Sequence, residues 1–228
     1  MITLVVFTDG RWDVLDRTLR SASTHLLGPI SSVHLVVDGH GPDEADALLT
    51  HPSVLWPNVP VREHWSAQRL GFGGTIRAAW ERLAHAAEVP FVFHLEDDFT
   101  FTRAVDLRAM ARVLSHQPDL AQMALRRQPV NDREIAAGGI LQALGATFEE
   151  CSDFEGHAWM EHRAFWTTNP SLYRRDWCSL GWPDGAHSEG LWTHQLLADP
   201  LVSFGYWGRY NDEPWVIHDG AVRVGKGY

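Results

Sequence analysis

Lysine and cysteine are scarce in this sequence. Lys226 is the only lysine, and Cys151 and Cys178 are the only cysteines among 228 residues. Because two distant cysteines match neither a zinc-site spacing nor a disulfide framework, we expect a reducing compartment. No apolar run is long enough to cross a bilayer, and Met1 leads into an apolar stretch without the basic segment of a signal peptide. These absences predict a cytoplasmic protein without an integral membrane segment.

Positive charge is also in short supply. The 19 Lys and Arg residues are outnumbered by 29 Asp and Glu residues, which gives a formal net charge of −10. A partner that is held through its phosphate backbone, such as a nucleic acid, is therefore disfavoured. The sequence has no internal repeat, low-complexity tract or linker-like segment, and its length suits one well-filled α/β domain. We expect a single domain over residues 1–228.

The stretch around which the chain is organised is an apolar run that ends in acids. Residues 91–95 are typical of a buried strand of a mostly parallel sheet, and Glu96, Asp97 and Asp98 follow directly. Ligands of open α/β sheets bind at the carboxyl ends of the strands. Three adjacent carboxylates repel one another, so we expect a cation there, and oxygen ligands suit Mg²⁺ or Mn²⁺. The alternative is that Asp97 and Asp98 only open a following helix.

Two further apolar runs place acids at the same edge of the sheet. Residues 2–7 and 33–37 are predicted strands, joined by a helix over residues 12–26. A strand, a helix and a strand in this order favour a right-handed parallel unit. Asp9 and Asp38 then lie at equivalent strand ends, beside the acidic cluster. The alternative for Asp38 is a turn-forming residue before glycine.

A glycine-rich segment, residues 69–75, leads into a predicted helix. Such a segment can bring backbone N–H groups against phosphate, although it lacks the spacing of a dinucleotide fingerprint and the lysine of a P-loop. A simple tight turn is the alternative. The later predictions are a helix near 107–114, strands at 120–125, 162–168, 202–207 and 214–218, a short helix at 172–177 and a helix from 188. Residues 128–160 are not assigned.

Taken together, these stretches resemble the nucleotide-sugar-dependent glycosyltransferases of the GT-A fold, most nearly the family-2-like inverting enzymes. The resemblance covers most of the chain and is weakest between residues 128 and 160. It implies an α/β, Rossmann-like three-layer αβα sandwich around a mostly parallel sheet. It also implies transfer of a sugar from a nucleoside-diphosphate sugar, UDP-sugar first, with inversion at the anomeric carbon and with Mn²⁺ or Mg²⁺ as cofactor.

On the donor side the resemblance assigns roles to residues at the strand ends. Thr8 and Asp38 match the positions that hold the ribose and base, with Asp9 and Arg11 nearby. Arginine and lysine in the glycine-flanked tail can close over the diphosphate as a lid. The remaining donor-binding candidates are Arg69, Gly71, Asp97, Arg223 and Lys226.

The acidic stretch looks like the DxD-type metal motif of this family. By that pattern Asp98 is the direct metal ligand, and Asp97 contacts the ribose or the metal-bound waters. The family often carries a metal-binding histidine near the C-terminus, and His218 at the end of a late strand fits it. Mn²⁺ accepts imidazole beside carboxylate, which makes the pair chemically sensible. The alternative is that His218 is a structural residue hydrogen-bonded beside Asp219.

The family places a Glu-Asp pair at a helix start, and one member is the catalytic base. Here Ser188-Glu189-Gly190 keeps only the first acid. Glu189 is therefore the candidate base, with Asp184 and His187 as substitutes. The alternative is that Glu189 only stabilises the positive end of its helix.

Other functions stay open. A sugar-phosphate nucleotidyltransferase shares the topology and the metal, but residues 8–11 are poor in the glycine and lysine of its nucleotide loop. A glycoside hydrolase needs two carboxylates that flank the scissile bond, and spacing in sequence does not test this. A non-catalytic carbohydrate-binding protein on a GT-A frame is favoured by Gly190 in place of an acid.

The acceptor is not identified by the sequence. A glycan or a protein is favoured, a modified nucleic acid is disfavoured by the negative charge, and a lipid is disfavoured by the missing anchor. Tryptophans are dense after residue 155, and flat rings with a polar edge suit sugars. Trp182 and Trp159 are the first candidates for contact with a saccharide.

Overall fold

The computed structural model describes residues 1–43, 50–85, 89–145, 147–185 and 187–221. Its strands are β1 (Ile2–Thr8), β2 (Leu26–Leu27), β3 (Ile30–Asp38), β4 (Val61–Ser66), β5 (Phe91–Glu96), β6 (Phe99–Phe101), β7 (Val105–Asp106), β8 (Leu120–Ala124), β9 (Glu149–Ser152), β10 (Ala158–His162), β11 (Ser171–Arg174), β12 (Ser203–Trp207) and β13 (Val216–His218). Its α-helices are α1 (Trp12–His25), α2 (Pro52–Leu55), α3 (Gly71–Ala84), α4 (Leu107–His116), α5 (Asp132–Ala137), α6 (Ile140–Leu144) and α7 (Ser188–Leu197). Short 3₁₀ helices span Arg175–Leu180 and Asp219–Ala221.

Nine strands form one sheet in the order β4-β3-β1-β5-β11-β8-β12-β10-β9. β1 pairs in parallel with β3 and β5, β3 with β4, and β8 with β12. β11 and β10 run against their neighbours, and the other strands of this sheet share one direction. The large and mostly parallel sheet confirms the predicted α/β class.

Alternate residues of β1 face opposite layers of helices. Leu4 and Val6 lie in a buried cluster with side chains of α1 and α4, whereas Val5 and Phe7 lie in a second cluster with side chains of α3 and α7. Successive strand residues point to opposite faces, so a strand covered on both sides is mostly apolar, and all of β1 is buried. Helix, sheet and helix therefore form the predicted three layers.

The chain turns after the acidic motif, residues 96–98, and continues as β6, so no helix starts there. The alternative that Asp97 and Asp98 open a helix is therefore wrong. Helix α4 begins only at Leu107, where Asp106 Oδ1 accepts hydrogen bonds from the backbone N–H groups of Arg108 at 2.9 Å and Ala109 at 3.0 Å. This N-cap satisfies donors that the first turn leaves free.

The second half of the sheet corrects two predictions. Residues 162–168 are not a strand, because β10 ends at His162 and the chain then bends towards β11. Residues 172–177 are not a helix, because Leu172 and Tyr173 lie in β11, between β5 and β8, and only Arg175–Leu180 forms a short 3₁₀ turn. A four-residue strand has too few positions to show a period of two.

Other elements were not predicted at all. The edge strand β4 directly follows Pro60 and was not assigned from the sequence. Residues 128–160 contain the short helices α5 and α6 and the antiparallel pair of β9 and β10 at the far edge. In the ranges that the structure describes, no helix is both long and apolar enough to cross a membrane.

A small second sheet brings the end of the chain back to the acidic motif. β13 pairs antiparallel with β6, and the register sets His218 opposite Phe99. Asp98 immediately precedes Phe99 in sequence, so this pairing carries His218 to the carboxyl end of β5. The contact joins residues that are far apart in the chain.

Candidate functional site

The acidic motif is buried where β1 and β5 end side by side. The parallel register sets Phe7 opposite Glu96, so the residues that follow each strand meet. Thr8 Oγ1 donates to Asp97 Oδ2 at 2.6 Å, and Arg11 Nη2 donates to Asp97 Oδ1. The exposed fractions of Asp97 and Asp98 are 1% and 0%. The predicted donor residues Thr8 and Arg11 are thus joined to the predicted metal motif.

Burial and charge pull the pKa values of this cluster in opposite directions. Burial raises the pKa of Asp97 to about 7, although Arg11 and the hydroxyl of Thr8 oppose the rise. Burial also disfavours a charge on Arg11, but the carboxylates of Asp97, Asp98 and Asp9 raise the pKa of Arg11 above its ordinary value. Arg11 therefore stays a cation among the acids.

Asp9 links two arginines at the mouth of this cluster. Its Oδ1 lies 3.0 Å from Arg11 Nε, and its Oδ2 accepts from Arg69 Nη2 at 2.8 Å. The backbone carbonyl of Asp9 also lies 2.9 Å from His40 Nε2. Arg69, predicted from the glycine-rich segment, is thereby brought beside Arg11.

Asp38 fixes the start of α3. Its two carboxylate oxygens accept hydrogen bonds from the backbone N–H groups of Leu70 at 2.7 Å and Gly71 at 2.9 Å. Gly71 has a φ of 72°, a left-handed conformation that glycine adopts without strain. The helix starts at Gly71 itself, so Gly73 and Gly74 belong to its first turn. Nucleotide binding by Asp38 and Gly71 stays a prediction.

An aromatic group beside Asp9 and Asp38 was not anticipated from the sequence. The ring centroid of Trp12 lies 5.6 Å from that of His40 and 6.1 Å from that of Trp65. Trp65 belongs to β4, whose position at the sheet edge beside β3 was not predicted. The one sequence feature that could have indicated this aromatic group is the position of Trp12, directly after the turn that follows β1.

His218 reaches the acidic motif from β13. Its Nε2 lies 3.3 Å from Asp98 Oδ2, and its ring stacks on Phe99 with centroids 4.7 Å apart. Gln128 holds the backbone of the same residue: Gln128 Nε2 donates to the carbonyl of His218 at 3.0 Å, and the N–H of His218 donates to Gln128 Oε1 at 2.8 Å. The structure thus brings the two predicted metal ligands together.

The 3₁₀ turn after β13 covers the other side of Asp98. The N–H of Asp219 donates to the carbonyl of Asp98 at 2.8 Å, and a Cβ atom at Gly220 would lie 2.0 Å from Asp98 Oδ2. A side chain at position 220 would therefore fill the space in front of the carboxylate. Arg223 and Lys226 lie outside the described residues.

The donor atoms of Asp98 and His218 fit Mn²⁺, which accepts a carboxylate and an imidazole together. Within the described ranges, no set of three His, Cys, Asp or Glu side chains is placed to hold a metal ion. Mg²⁺ and Mn²⁺ usually take few protein ligands and complete their shells with water and phosphate oxygens. The two residues therefore fit a cation that binds together with a diphosphate.

Glu189 contacts the segment that leads into β11, near the same edge of the sheet. Its Oε1 accepts a hydrogen bond from the backbone N–H of Thr168 at 2.7 Å. Thr168 comes shortly before Ser171, which pairs with His94 near the carboxyl end of β5. Burial raises the pKa of Glu189, and hydrogen bonds from Thr168 and Thr167 oppose the rise. A carboxylate of raised pKa can accept a proton near neutral pH.

The two substitute bases have different surroundings. Asp184 is exposed and accepts from Arg77 Nη2 at 2.6 Å, and this hydrogen bond lowers the pKa of Asp184. His187 is exposed and precedes α7 with a φ of 60°. A carboxylate of lowered pKa is a weaker base.

The two tryptophans expected to contact a saccharide are buried. Trp182 and Trp159 each expose 3% of their surface and lie in the two main apolar clusters. Trp182 packs edge-on against Trp80 with ring centroids 5.0 Å apart. Their role is core packing, so that expectation is corrected.

Comparison with known proteins adds to this geometry. No family model and no curated protein matches the sequence. Among solved structures, TarS from S. aureus superimposes with a TM-score of 0.62 at 14% identity, over 95% of this chain and 36% of that chain. The mannosyltransferase PcManGT from Pyrobaculum calidifontis, in complex with GDP-Man and Mn²⁺, gives 0.59 at 11% identity, over 89% of this chain and 56% of that one. GalNAc-T7 with UDP, GalNAc and Mn²⁺ superimposes with a TM-score of 0.62 at 10% identity, over 91% of this chain and 42% of that chain.

The chain has the GT-A fold. The predicted resemblance is thereby confirmed at the level of the fold. The chain spans between about a third and just over half of the length of these GT-A proteins.

Proposed function

We propose that the chain is a metal-dependent inverting glycosyltransferase, which moves a sugar from a nucleoside-diphosphate sugar to an acceptor hydroxyl. The observation that carries the proposal is the meeting of Asp98 and His218 at the end of β5, with Glu189 at the same sheet edge. Two of the similar structures were solved with Mn²⁺ and with a guanine or uracil nucleotide. UDP-sugar is the first donor to test, and a glycan or protein is the favoured acceptor.

The donor nucleotide binds along the ends of β1 and β3 in this proposal. Thr8 and Asp38 lie at these ends, and Arg69 and Arg11 place guanidinium groups beside them. Guanidinium groups pair with phosphate oxygens through two parallel hydrogen bonds. The rings of Trp12 and Trp65, which are tilted by 45° to each other, each offer an apolar face on which the base can stack at this edge. Arg223 and Lys226 are proposed to close over the diphosphate.

Asp98 and His218 are the residues that would hold the cation. A divalent cation bound there would supply positive charge that stabilises the diphosphate as the bond between sugar and phosphate breaks. Asp97 is held by Thr8 and Arg11 and orients the motif through these hydrogen bonds. Gln128 fixes the backbone of His218 and so sets the direction of its imidazole.

Glu189 acts as the general base. Its carboxylate removes the proton of the acceptor hydroxyl, whose oxygen attacks the anomeric carbon from the face opposite the leaving diphosphate. A single displacement with one base inverts the anomeric configuration. Burial disfavours the charged form of Glu189 and so raises its pKa. The carboxylate is therefore a better proton acceptor near neutral pH.

A thermal-shift panel tests the proposal. UDP, GDP and their sugar derivatives are added with and without Mn²⁺, since a ligand that binds the folded state raises its melting temperature. We expect one nucleotide series to stabilise the protein in the presence of Mn²⁺ only. Asp98→Asn should abolish the effect of Mn²⁺, whereas Asp13→Asn, on the exposed surface of α1, should retain it.

Slow Mn²⁺-dependent hydrolysis of the stabilising nucleotide sugar, measured as released nucleotide, completes the test. Equal stabilisation with and without Mn²⁺ would contradict the metal dependence. Binding without hydrolysis or transfer would favour the non-catalytic carbohydrate-binding protein, which Gly190 suggests. Formation of a nucleotide sugar from a nucleoside triphosphate and a sugar phosphate would favour the nucleotidyltransferase.

A further inference from the structure

The guanidinium group of Arg11 lies among three carboxylates and contacts each through a different nitrogen. Nη2 donates to Asp97, Nη1 lies 3.0 Å from Asp98 Oδ2, and Nε lies 3.0 Å from Asp9 Oδ1. Asp97 and Asp98 are buried, and buried carboxylates are unfavourable without a nearby positive charge. Arg11 therefore supplies positive charge at the position where the proposed function requires a divalent cation.

We propose that Arg11 and the divalent cation compete for Asp98, and that cation binding releases the Nη groups of Arg11 to the donor diphosphate. The inference rests on the proposed function. Asp98 Oδ2 has Arg11 Nη1 at 3.0 Å on one side and His218 Nε2 at 3.3 Å on the other. A cation shared by Asp98 and His218 would lie within a few ångströms of the guanidinium, and the like charges repel.

The space around Asp98 supports competition over simultaneous binding. The backbone at Gly220 approaches so closely that a Cβ atom there would lie 2.0 Å from Asp98 Oδ2. Thr18 Oγ1 donates to the carbonyl of Asp97 at 2.6 Å and holds the turn of the motif in place. The carboxylate thus has restricted room to turn away from Arg11 and serve both partners.

Asp9 provides the tether that turns a displaced Arg11 into a ligand of the donor. The contact of Asp9 uses Nε, so it does not depend on the two Nη groups that face the motif. Arg69 holds the other oxygen of Asp9 at 2.8 Å and keeps this carboxylate at the mouth of the site. The released Nη groups can then pair with phosphate oxygens while Nε stays on Asp9.

This exchange predicts effects of opposite sign when Arg11 is removed. Without its competitor, Mn²⁺ alone should bind more tightly. Without its phosphate ligand, a nucleoside diphosphate should bind less tightly to the Mn²⁺-saturated protein. A purely structural Arg11 would weaken both, because its loss would disturb the whole turn.

Calorimetric titration of Mn²⁺ in the absence of nucleotide tests the first effect. We expect Arg11→Met to tighten Mn²⁺ about tenfold or more, because the variant lacks the positive charge that lies 3.0 Å from Asp98 Oδ2 and repels the cation. Titration of UDP and of GDP at saturating Mn²⁺ should show a loss of about tenfold in the variant for the nucleotide that the wild type binds. Arg17→Met removes one charge from the exposed face of α1, where Arg17 lies 3.7 Å from Asp13, and should leave the Mn²⁺ affinity unchanged.

A second background keeps the test decisive if Arg11→Met does not fold. Asp97→Asn removes the buried charge that most needs Arg11. Arg11→Met is then introduced into Asp97→Asn, and the double variant is compared with Asp97→Asn alone. We expect the same tightening of Mn²⁺ in the double variant. Unchanged or weaker Mn²⁺ binding on loss of Arg11, in a protein whose wild type binds UDP or GDP with Mn²⁺, overturns the inference and leaves the proposed function. A wild type that binds neither nucleotide with Mn²⁺ overturns both.

Discussion

Gly220 lies directly against the carboxylate of Asp98. A Cβ atom at Gly220 would lie 2.0 Å from Asp98 Oδ2, a separation that real Cβ atoms do not show, and the neighbouring Asp219 N–H donates to the carbonyl of Asp98. The Asp219–Ala221 turn therefore forms one wall of the candidate metal site. Glycine at this position leaves space for the carboxylate and for whatever binds to it.

Gly220→Ala tests whether this wall belongs to the site. The added methyl group must displace either the turn or the carboxylate, and overpacking of this kind costs about 1–3 kcal/mol. We expect the affinity for nucleotide in the presence of Mn²⁺ to fall roughly tenfold, measured by calorimetry. Gly41→Ala is the control, because a Cβ atom there meets nothing within 4 Å. Equal loss in both variants would show that the effect is not specific to Asp98.

Gln128→Leu tests the support of His218. The substitution removes both hydrogen bonds to the backbone of His218 and keeps a side chain of similar size. Loss of groups that orient a metal ligand costs about 10–100-fold in metal affinity. We expect Mn²⁺ binding to weaken by about tenfold, with partial recovery in Gln128→Glu, which still accepts from the His218 N–H. Gln195→Leu, on the exposed face of α7, should have no effect; unchanged binding in Gln128→Leu would contradict the positioning role.

His162 should make the protein sensitive to acid. Burial lowers the pKa of His162 to about 4, compared with an ordinary value of 6.5. Between these values the unfolded chain binds a proton that the folded protein does not, so the free energy of unfolding falls as the pH drops from 6.5 towards 4. The full effect is up to about 3 kcal/mol.

His162→Phe keeps a ring stacked on Tyr206 and removes the titrating group. Urea unfolding at about pH 7 and about pH 5 should show a smaller loss of stability in the variant than in the wild type. The buried residues His34 and His94, whose pKa values burial lowers to about 4 and about 3, leave some acid sensitivity. An equal loss in His162→Phe and wild type would assign the acid sensitivity to those residues alone.

The first half of the fold was predictable because its signals are local. Long apolar runs marked β1, β3 and β5, and the helices between them imposed a parallel order that sets Asp9, Asp38 and the acidic motif on one edge. The same order brings the residues that follow β1 near the acidic motif, but the contact of Arg11 with Asp97 was not predicted. Its ion pairs with the motif needed the register, which opposes Phe7 to Glu96.

The remainder depends on contacts that leave no local pattern. β11 has only four residues, and they form a strand because they pair with β5 on one side and β8 on the other. The clamp of Gln128 on His218 joins residues 90 apart in sequence, and nothing about an isolated glutamine indicates it. The position of His218 at a late strand end was predicted, whereas its contact with Asp98 depends on the pairing of β13 with β6.

Glu189 is the proposed base, and its surroundings set what a substitution should do. Its carboxylate accepts from the N–H of Thr168, so Glu189→Gln can keep this hydrogen bond through its amide oxygen while losing the negative charge. The base faces the acceptor side of the sugar, so donor binding should remain. Glu81→Gln, on the exposed surface of α3, is a matched control.

Loss of a general base lowers turnover by about 10²–10⁴-fold, so we expect a decrease of this size in Glu189→Gln and an unchanged affinity for nucleotide and Mn²⁺. Because burial raises the pKa of Glu189, the acid limb of the wild-type kcat/KM profile should lie above the ordinary value of 4.5, and Glu189→Gln should lose that limb. Retained turnover would falsify the role and direct the search to Asp184 or His187. A product of retained anomeric configuration would overturn the single displacement itself, since one attack opposite the leaving group can only invert.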